Sequence, residues 1–260
     1  MRILYWDTFA GISGDMSLGS LIALGADPEI IVDQLHSIGL TEFVFDVRSR
    51  QVHGIQATDI DVVIPTPTHE HPEDHDDYEG HDHVQVQNNE HHHQRRLPDI
   101  QKMILSGTLS ERSQKRALLV FNVLAEAEAH VHGTTLDQVH FHEVGAVDSL
   151  VDIVGTCIAL DLLEIDLIRV STLPWSHGFV HCAHGILPLP APATLMLLRG
   201  FKFRESGITG ELITPTGAAL IRALAQQSTF PEMTLLNVGY GCGKNDYGIP
   251  SLLRGVLGEI

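Results

Sequence analysis

The chain has 260 residues, 43% of them hydrophobic, and a formal net charge of −17. That length buries a sizeable core in one or two domains. The charge excludes nucleic acid as the main partner, because no basic footprint is present to neutralise phosphates; it equally excludes anionic membrane surfaces, and suits cation handling.

Ile3 to Trp6 reads as a buried strand ending at Asp7, where ligands gather at the C-terminal edge of α/β sheets. The loop TFAGISGD and a helix to Leu24, stopped at Gly25, follow. Strand, glycine loop and helix form an anion-binding arrangement. The loop has neither the Gly-Lys-Ser/Thr of a P-loop nor GxGxxG, and Ser13 capping with Asp15 in the first turn explains it as well. Asp27-Pro28 opens a second helix ending at Gly39. Two strands follow, Glu42 to Arg50 and Gln56 to Ile64, the latter alternating at Ile60, Val62 and Ile64.

The composition then changes sharply. Pro65 to Arg96 holds eight of the chain's seventeen histidines, His69, His71, His75, His81, His83, His91, His92 and His93, together with eight acidic residues. So polar a tract cannot bury enough surface to fold alone and reads as a disordered insertion. Its imidazoles suit nickel, copper or zinc, although chemistry needs a more fixed geometry; a solvated linker is the plainer alternative.

Leu97 to Leu105 and Ser110 to His130 read as helices, with His130 and His132 at the cation-favouring end of the second. The segment HFHEVGAVDSLVDIVG concentrates His140, His142, Glu143 and Asp148 within nine residues. An extended Gln138 to Glu143 puts His140 and His142 on one face, able to grip one ion. Val147, Val151, Val154 and Ile158 recur at helical spacing, so a helix begins near Ser149 with Asp148 as its N-cap. Leu167 to Leu173 reads as a strand, and Gly178 as a hairpin turn. His181, Cys182 and His184 form a soft-metal cluster or pack the hairpin.

Ala191 to Leu198 is expected to be helical. ELITPTG leads into a helix through Ala225, with Thr214 as N-cap and Pro215 at its first position. Thr216 and Gly217 at that helix start are placed to meet a phosphate. A strand from Thr234 to Tyr240, a tight or ligand-hugging loop at Gly239, Gly241 and Gly243 ahead of Lys244, and a strand from Ser251 to Leu257 complete the chain. No run of about 18 apolar residues marks a membrane span. The N-terminal segment does not read as a secretory signal. Cys157, Cys182 and Cys242 form neither a CxxC pair nor a disulfide framework, so a reducing cytoplasm is expected.

FAGISGDMSLGSL, HFHEVGAVDSLVDIVG, HGILPLPAPAT, GELITPTGAAL and VGYGCGKNDYGIPSLLRGVLGE occur in one order across nearly the whole chain outside the histidine tract. Together they resemble the LarC family, the nickel insertion proteins of nickel-pincer cofactor biosynthesis. The resemblance implies insertion of Ni²⁺ into pyridinium-3,5-bisthiocarboxylic acid mononucleotide, forming Ni–S and Ni–C bonds. It also implies use of CTP with Mg²⁺ or Mn²⁺, and a product that serves lactate racemase-type apoenzymes. Family members usually continue into a C-terminal domain to which CTP binding is attributed. The chain is therefore expected to be a fragment, or one piece of a two-piece protein.

Beside that resemblance, metal–carbon bond formation needs a base for the ring proton, for which Glu143 or a neutral histidine such as His142 serves. His140, His142, His181 and His184 are candidate nickel ligands in the fold. Gly11, Ser13 and Gly14, or Thr214, Thr216 and Gly217, are candidates for the substrate phosphate. Asp7 and Asp15 alternatively hold a hard cation, and Asp148 joins them as a catalytic candidate. Three readings compete: a nickel-inserting enzyme, a nickel storage or delivery protein, and a metal-dependent phosphohydrolase. The expected fold is α/β, a mixed sheet with flanking helices in a single domain over residues 1–260. A homo-oligomer is left open.

Overall fold

The computed structural model describes residues 1–65, 95–139, 141, 146–182 and 184–260. The expected disorder of the histidine tract falls almost wholly on residues outside these, as do His140, His142 and Glu143.

The fold is α/β, organised on a seven-stranded mixed sheet. Its strands, in spatial order, are β2 (Val44–Val52), β3 (Ile55–Val63), β10 (Thr234–Cys242), β11 (Leu252–Glu259), β1 (Arg2–Asp7), β4 (Leu167–Val170) and β9 (Gln226–Gln227). β1 runs antiparallel to β11 and parallel to β4. Ile3, Leu4, Tyr5 and Trp6 are all buried, as an interior strand covered on both faces requires.

Helix α1 (Gly14–Ala23) lies on the sheet over β10 and β3. Gly239 and Gly241, two apart and so on one face of β10, permit this approach. A Cβ at Gly241 would stand 2.0 Å from the Met16 carbonyl oxygen, and one at Gly239 2.5 Å from that of Ser20. These two glycines are thus strand residues seating a helix, not the ligand-hugging loop the sequence suggested. Trp6 Nε1 donates to Ser20 Oγ at 3.2 Å across the same interface.

Behind α1 runs α5 (Val147–Leu162), buried continuously from Ile153 to Leu160 as a helix apolar all round must be. It packs against α1, α2 (Pro28–Ser37) and α4 (Glu111–His132), and α3 (Leu97–Ser106) braces α4. α4 in turn meets α6 (Pro192–Leu197) and α7 (Pro215–Leu224). The N-cap position of α5 is Ala146, not Asp148. Asp148 sits one residue inside the helix, and its Oδ1 accepts from the Ser149 amide at 2.8 Å.

The expected strand from Leu167 to Leu173 is two strands. After β4 the chain leaves the large sheet at Ser171, whose Oγ accepts the Thr8 amide at 2.9 Å. β5 (Leu173–His177) then pairs in parallel with β8 (Phe203–Thr209). Gly178 is a corner and not a hairpin turn, because the next strand takes a different partner. β6 (Phe179–Cys182) pairs antiparallel with β7 (Gly185–Pro188), so the hairpin closes between Cys182 and Gly185.

Candidate functional site

Two concavities share a wall. The first, about 150 Å³, lies where the loop after β1 meets the loop before α7. Ile12 and Ile213 form a parallel bridge there. The Ile12 amide donates to the Leu212 carbonyl at 2.8 Å, and the Thr214 amide to the Ile12 carbonyl at 3.2 Å. Gly11, at φ +103°, admits no side chain, since its Cβ would stand 1.9 Å from the Leu212 oxygen. A Cβ at Gly217 would likewise stand 2.4 Å from the Ile12 oxygen, and one at Gly14 2.5 Å from Asp152 Oδ2. These three glycines are explained by close packing and line neither concavity.

Ser13, Asp15, Glu211, Thr214, Lys244, Asn245, Tyr247 and Ser251 line this narrow cleft. Ser13 occupies the N-cap position of α1, but its hydroxyl donates to Asp15 Oδ1 instead of capping the helix. Thr214 does cap α7, accepting from the Gly217 amide at 3.2 Å, and meets the Thr216 hydroxyl at 2.8 Å. Lys244 Nζ donates to Asp59 Oδ1 and to the Ile60 carbonyl, both at 2.7 Å.

Burial pushes the Asp15 carboxyl above its ordinary value, against hydrogen bonds from Ser13 and the Met16 amide. Asp152, beside it on α5, is raised well above the ordinary value, first by burial and then by the Asp15 and Asp148 carboxylates. Asp152 lies within the segment HFHEVGAVDSLVDIVG, where no local pattern singles it out. Its closeness to Asp15 comes from the α1–α5 packing, which no local spacing encodes.

The second concavity, about 550 Å³, lies between the end of α4 and the β6–β7 hairpin. Its polar lining is Glu128, His132, His181, Cys182, His184 and Glu211; its apolar lining includes Val131, Val180, Leu187 and Ala193. The His132 and His184 rings stand 4.7 Å apart, and His132 Nε2 is 3.4 Å from Glu128 Oε2. The cluster expected at His181, Cys182 and His184 therefore does face a cavity. It acquires a histidine that the sequence reading placed as a helix cap. The amides of Gly133 and Thr134, not His132, bond the last carbonyls of α4. The missed signal is Glu128 and His132 four apart on one helix face.

Burial holds the Cys157 thiol at about 12 and Cys242 at about 11, so neither supplies a thiolate near neutral pH. Cys182 is the cysteine at a cavity wall. Among the described residues, no three His, Cys, Asp or Glu side chains are grouped closely enough to hold a metal ion, and the His132–His184 pair is the nearest approach to one on the wall of the wide cavity.

Asp7 joins neither concavity. Trp6 points to α1, so Asp7 points to the opposite face, where its Oδ2 accepts from Arg254 Nε at 3.1 Å. Asp7 and Asp15 are thus not brought together. Asp148 is exposed at the start of α5. No helix among the described residues is long and apolar enough to cross a membrane.

No solved structure matches the chain. Curated relatives do. The chain is 39% identical over 254 residues to the pyridinium-3,5-bisthiocarboxylic acid mononucleotide nickel insertion protein of Staphylococcus epidermidis, covering 97% of this chain and 58% of the relative. It is 40% identical over 262 residues to the protein of that name in Acetivibrio thermocellus, and 42% identical over 264 residues to that in Akkermansia muciniphila. Each of these two alignments covers 100% of this chain and 61% of the relative, so the chain spans less than two thirds of the length of these relatives. The nickel insertion protein family itself matches over residues 4–260. A match that takes in both concavities and all of the large sheet but the first two residues of β1 places the chain within the nickel insertion protein family.

Proposed function

We propose that this chain handles nickel and the pyridinium substrate in the insertion of Ni²⁺ into pyridinium-3,5-bisthiocarboxylic acid mononucleotide. The observation that carries this reading is the wide cavity with His132, His181, Cys182 and His184 on its wall. Imidazole and sulfur donors suit a borderline metal, and an open donor set suits a metal that is cargo and must leave again. The product in this reading is the nickel-pincer cofactor of lactate racemase-type enzymes. Its Ni–C bond requires a ring carbon to lose a proton, a task for a general base. Glu143 is proposed for that base, and His140 and His142 as further nickel ligands, from their sequence pattern alone. His69 to His93 serve as a feed of metal.

The described residues do not fit a resident Mg²⁺ or Mn²⁺. Asp15 is already bonded by Ser13 and the Met16 amide, burial presses both Asp15 and Asp152 toward the neutral acid, and Asp7 is engaged by Arg254. CTP with its metal belongs, in this reading, to the part of the relatives that this chain does not span.

A second reading, nickel storage or delivery without chemistry, is favoured by the eight histidines of residues 65–96. Calorimetry with NiCl₂ separates the two. The intact chain is compared with a chain whose residues 66–94 are replaced by a glycine-serine linker, and with that chain carrying His132→Ala and His184→Ala. Retention of one tight nickel in the linker chain, lost with the two alanines, supports the insertion site. Loss of all binding with residues 66–94 leaves storage as the reading.

A further inference from the structure

The segment 211–215 is common to both concavities. Glu211 lines both, Thr214 lines the narrow one and Pro215 the wide one. The segment is held firmly. Tyr247 donates to the Glu211 carbonyl at 2.9 Å, Asn245 Nδ2 donates to the Tyr247 hydroxyl at 3.0 Å, and Ile213 is bridged to Ile12. A single rigid wall with a recess on each side suits one ligand laid across it better than two unrelated ligands.

We propose that the two concavities form one site for a pyridinium nucleotide laid across 211–215, its ring and acid groups in the wide cavity and its ribose-phosphate in the narrow cleft. The proposal deepens the nickel-insertion reading and rests on it. The lining chemistry divides as this orientation requires. The wide side offers imidazole and thiol donors and apolar walls, its acids being Glu128, set against His132 at 3.4 Å, and Glu211 at the shared wall, and its volume of about 550 Å³ holds a substituted ring with room for a metal. The narrow side offers the Ser251 hydroxyl, the remaining N–H and the carbonyl of the Asn245 amide, and the Lys244 ammonium, while the Thr214 and Tyr247 hydroxyls are already engaged by Gly217, Thr216, Asn245 and the Glu211 carbonyl. These groups match sugar hydroxyls and a phosphate.

Lys244 spends two of its three N–H bonds on Asp59 and the Ile60 carbonyl, while Asp61 at 3.8 Å is beyond hydrogen-bond reach. The third remains for the ligand. Glu211 sits at the junction, where the cationic ring nitrogen joins the ribose. Asp15, the other acid in the narrow cleft, has its Oδ1 engaged by the Ser13 hydroxyl and the Met16 amide.

The test uses the full 260-residue chain with nicotinic acid mononucleotide and nicotinic acid riboside as calorimetric probes, with melting temperature as the fold control. The mononucleotide is expected to bind at least about tenfold more tightly than the riboside. Lys244→Met, and Lys244→Gln as the milder second variant, bring that ratio toward one without weakening the riboside. Leu187→Trp, which fills the wide cavity, weakens both probes alike. Equal binding of the two probes, no binding of either, or a ratio untouched by both cleft variants overturns the proposal. If nickel binding still depends on His132 and His184, the nickel reading survives that failure. If the phosphate ratio behaves as expected but nickel binding ignores both histidines, the two-part pocket stands and the nickel reading falls.

Discussion

The two concavities meet at Glu211 but are built in opposite ways. The narrow cleft rests on backbone: the Ile12–Ile213 bridge, and Gly11, Gly14 and Gly217 where no Cβ fits. The wide cavity rests on side chains of a hairpin that lies outside the large sheet, with Phe179 71% and Ile186 61% exposed on its outer strands. Rigid backbone suits the end of a ligand that must be held in one pose. Donors on a lightly packed hairpin suit an ion that has to enter and leave, because such segments open at low cost.

The largest expected effect tests that contrast directly. Gly11 and Gly185 both have positive φ, +103° and +93°, but only Gly11 lacks room, with nothing within 4 Å of a Cβ at Gly185. Gly11→Ala is expected to lower stability by about 3 kcal/mol or more, from overpacking added to backbone strain. Gly185→Ala is expected to cost about 1–2 kcal/mol, from strain alone. Urea denaturation of the two variants decides it; equal losses would show that the junction is no stiffer than the hairpin.

Next in size is His132→Ala. It removes one of two rings 4.7 Å apart, so nickel affinity of the chain with 66–94 replaced should fall about tenfold or more. Stability should move by no more than about 0.5 kcal/mol, because the residue is exposed. A fall in stability with unchanged nickel binding would make His132 a packing residue.

Asp152→Asn probes the buried neighbour of Asp15. Asp152 binds its proton more tightly folded than unfolded. Below the ordinary carboxyl value of 3.8 both states are protonated, and the full contribution of Asp152 to stability is present. As pH rises through the raised folded value that contribution is lost, because the folded chain must then bury a charge. The asparagine chain should therefore melt higher than the unaltered chain near neutral pH, by a difference in the common range of about 0.5–3 kcal/mol, and the gap should close on acidification. Thermal melts across pH check this; a gap that is constant with pH would assign the effect to packing.

Most elements were legible because their signals are local. Asp27-Pro28, Thr214-Pro215 and the alternation in β3 each carry their own physics within a few residues. What escaped was set by partners distant in sequence. Gly239 and Gly241 look like a loop until α1 is laid on them. Leu167 to Leu173 reads as one strand until Thr8 draws Ser171 aside and β8 claims β5. His132 looked like a helix cap because its partner in space, His184, lies 52 positions along the chain. His181, Cys182 and His184 were legible as a cluster of residue types, and the arrangement of two recesses about one wall was not, since Glu211 acquires a place in both only through tertiary packing.

The smallest expected effect concerns Asp7, which the sequence pairs with Asp15 as a cation holder and the fold sets on the far face of the sheet. There Arg254 forks onto its carboxylate, with the guanidinium 6.0 Å from the Phe9 ring centroid. The Arg254 side chain is 44% exposed, so the pair is screened by solvent and contributes about 0.2–1 kcal/mol. Arg254→Ala should lower stability by that amount, and the loss should shrink as salt is raised. If Asp7 is structural in this way, Asp7→Asn repeats the small loss and leaves the nickel isotherm as it was. An isotherm that collapses with Asp7→Asn, at unchanged stability, would instead place metal on the sheet face opposite the histidines, and the wide cavity would no longer be the place to look for it.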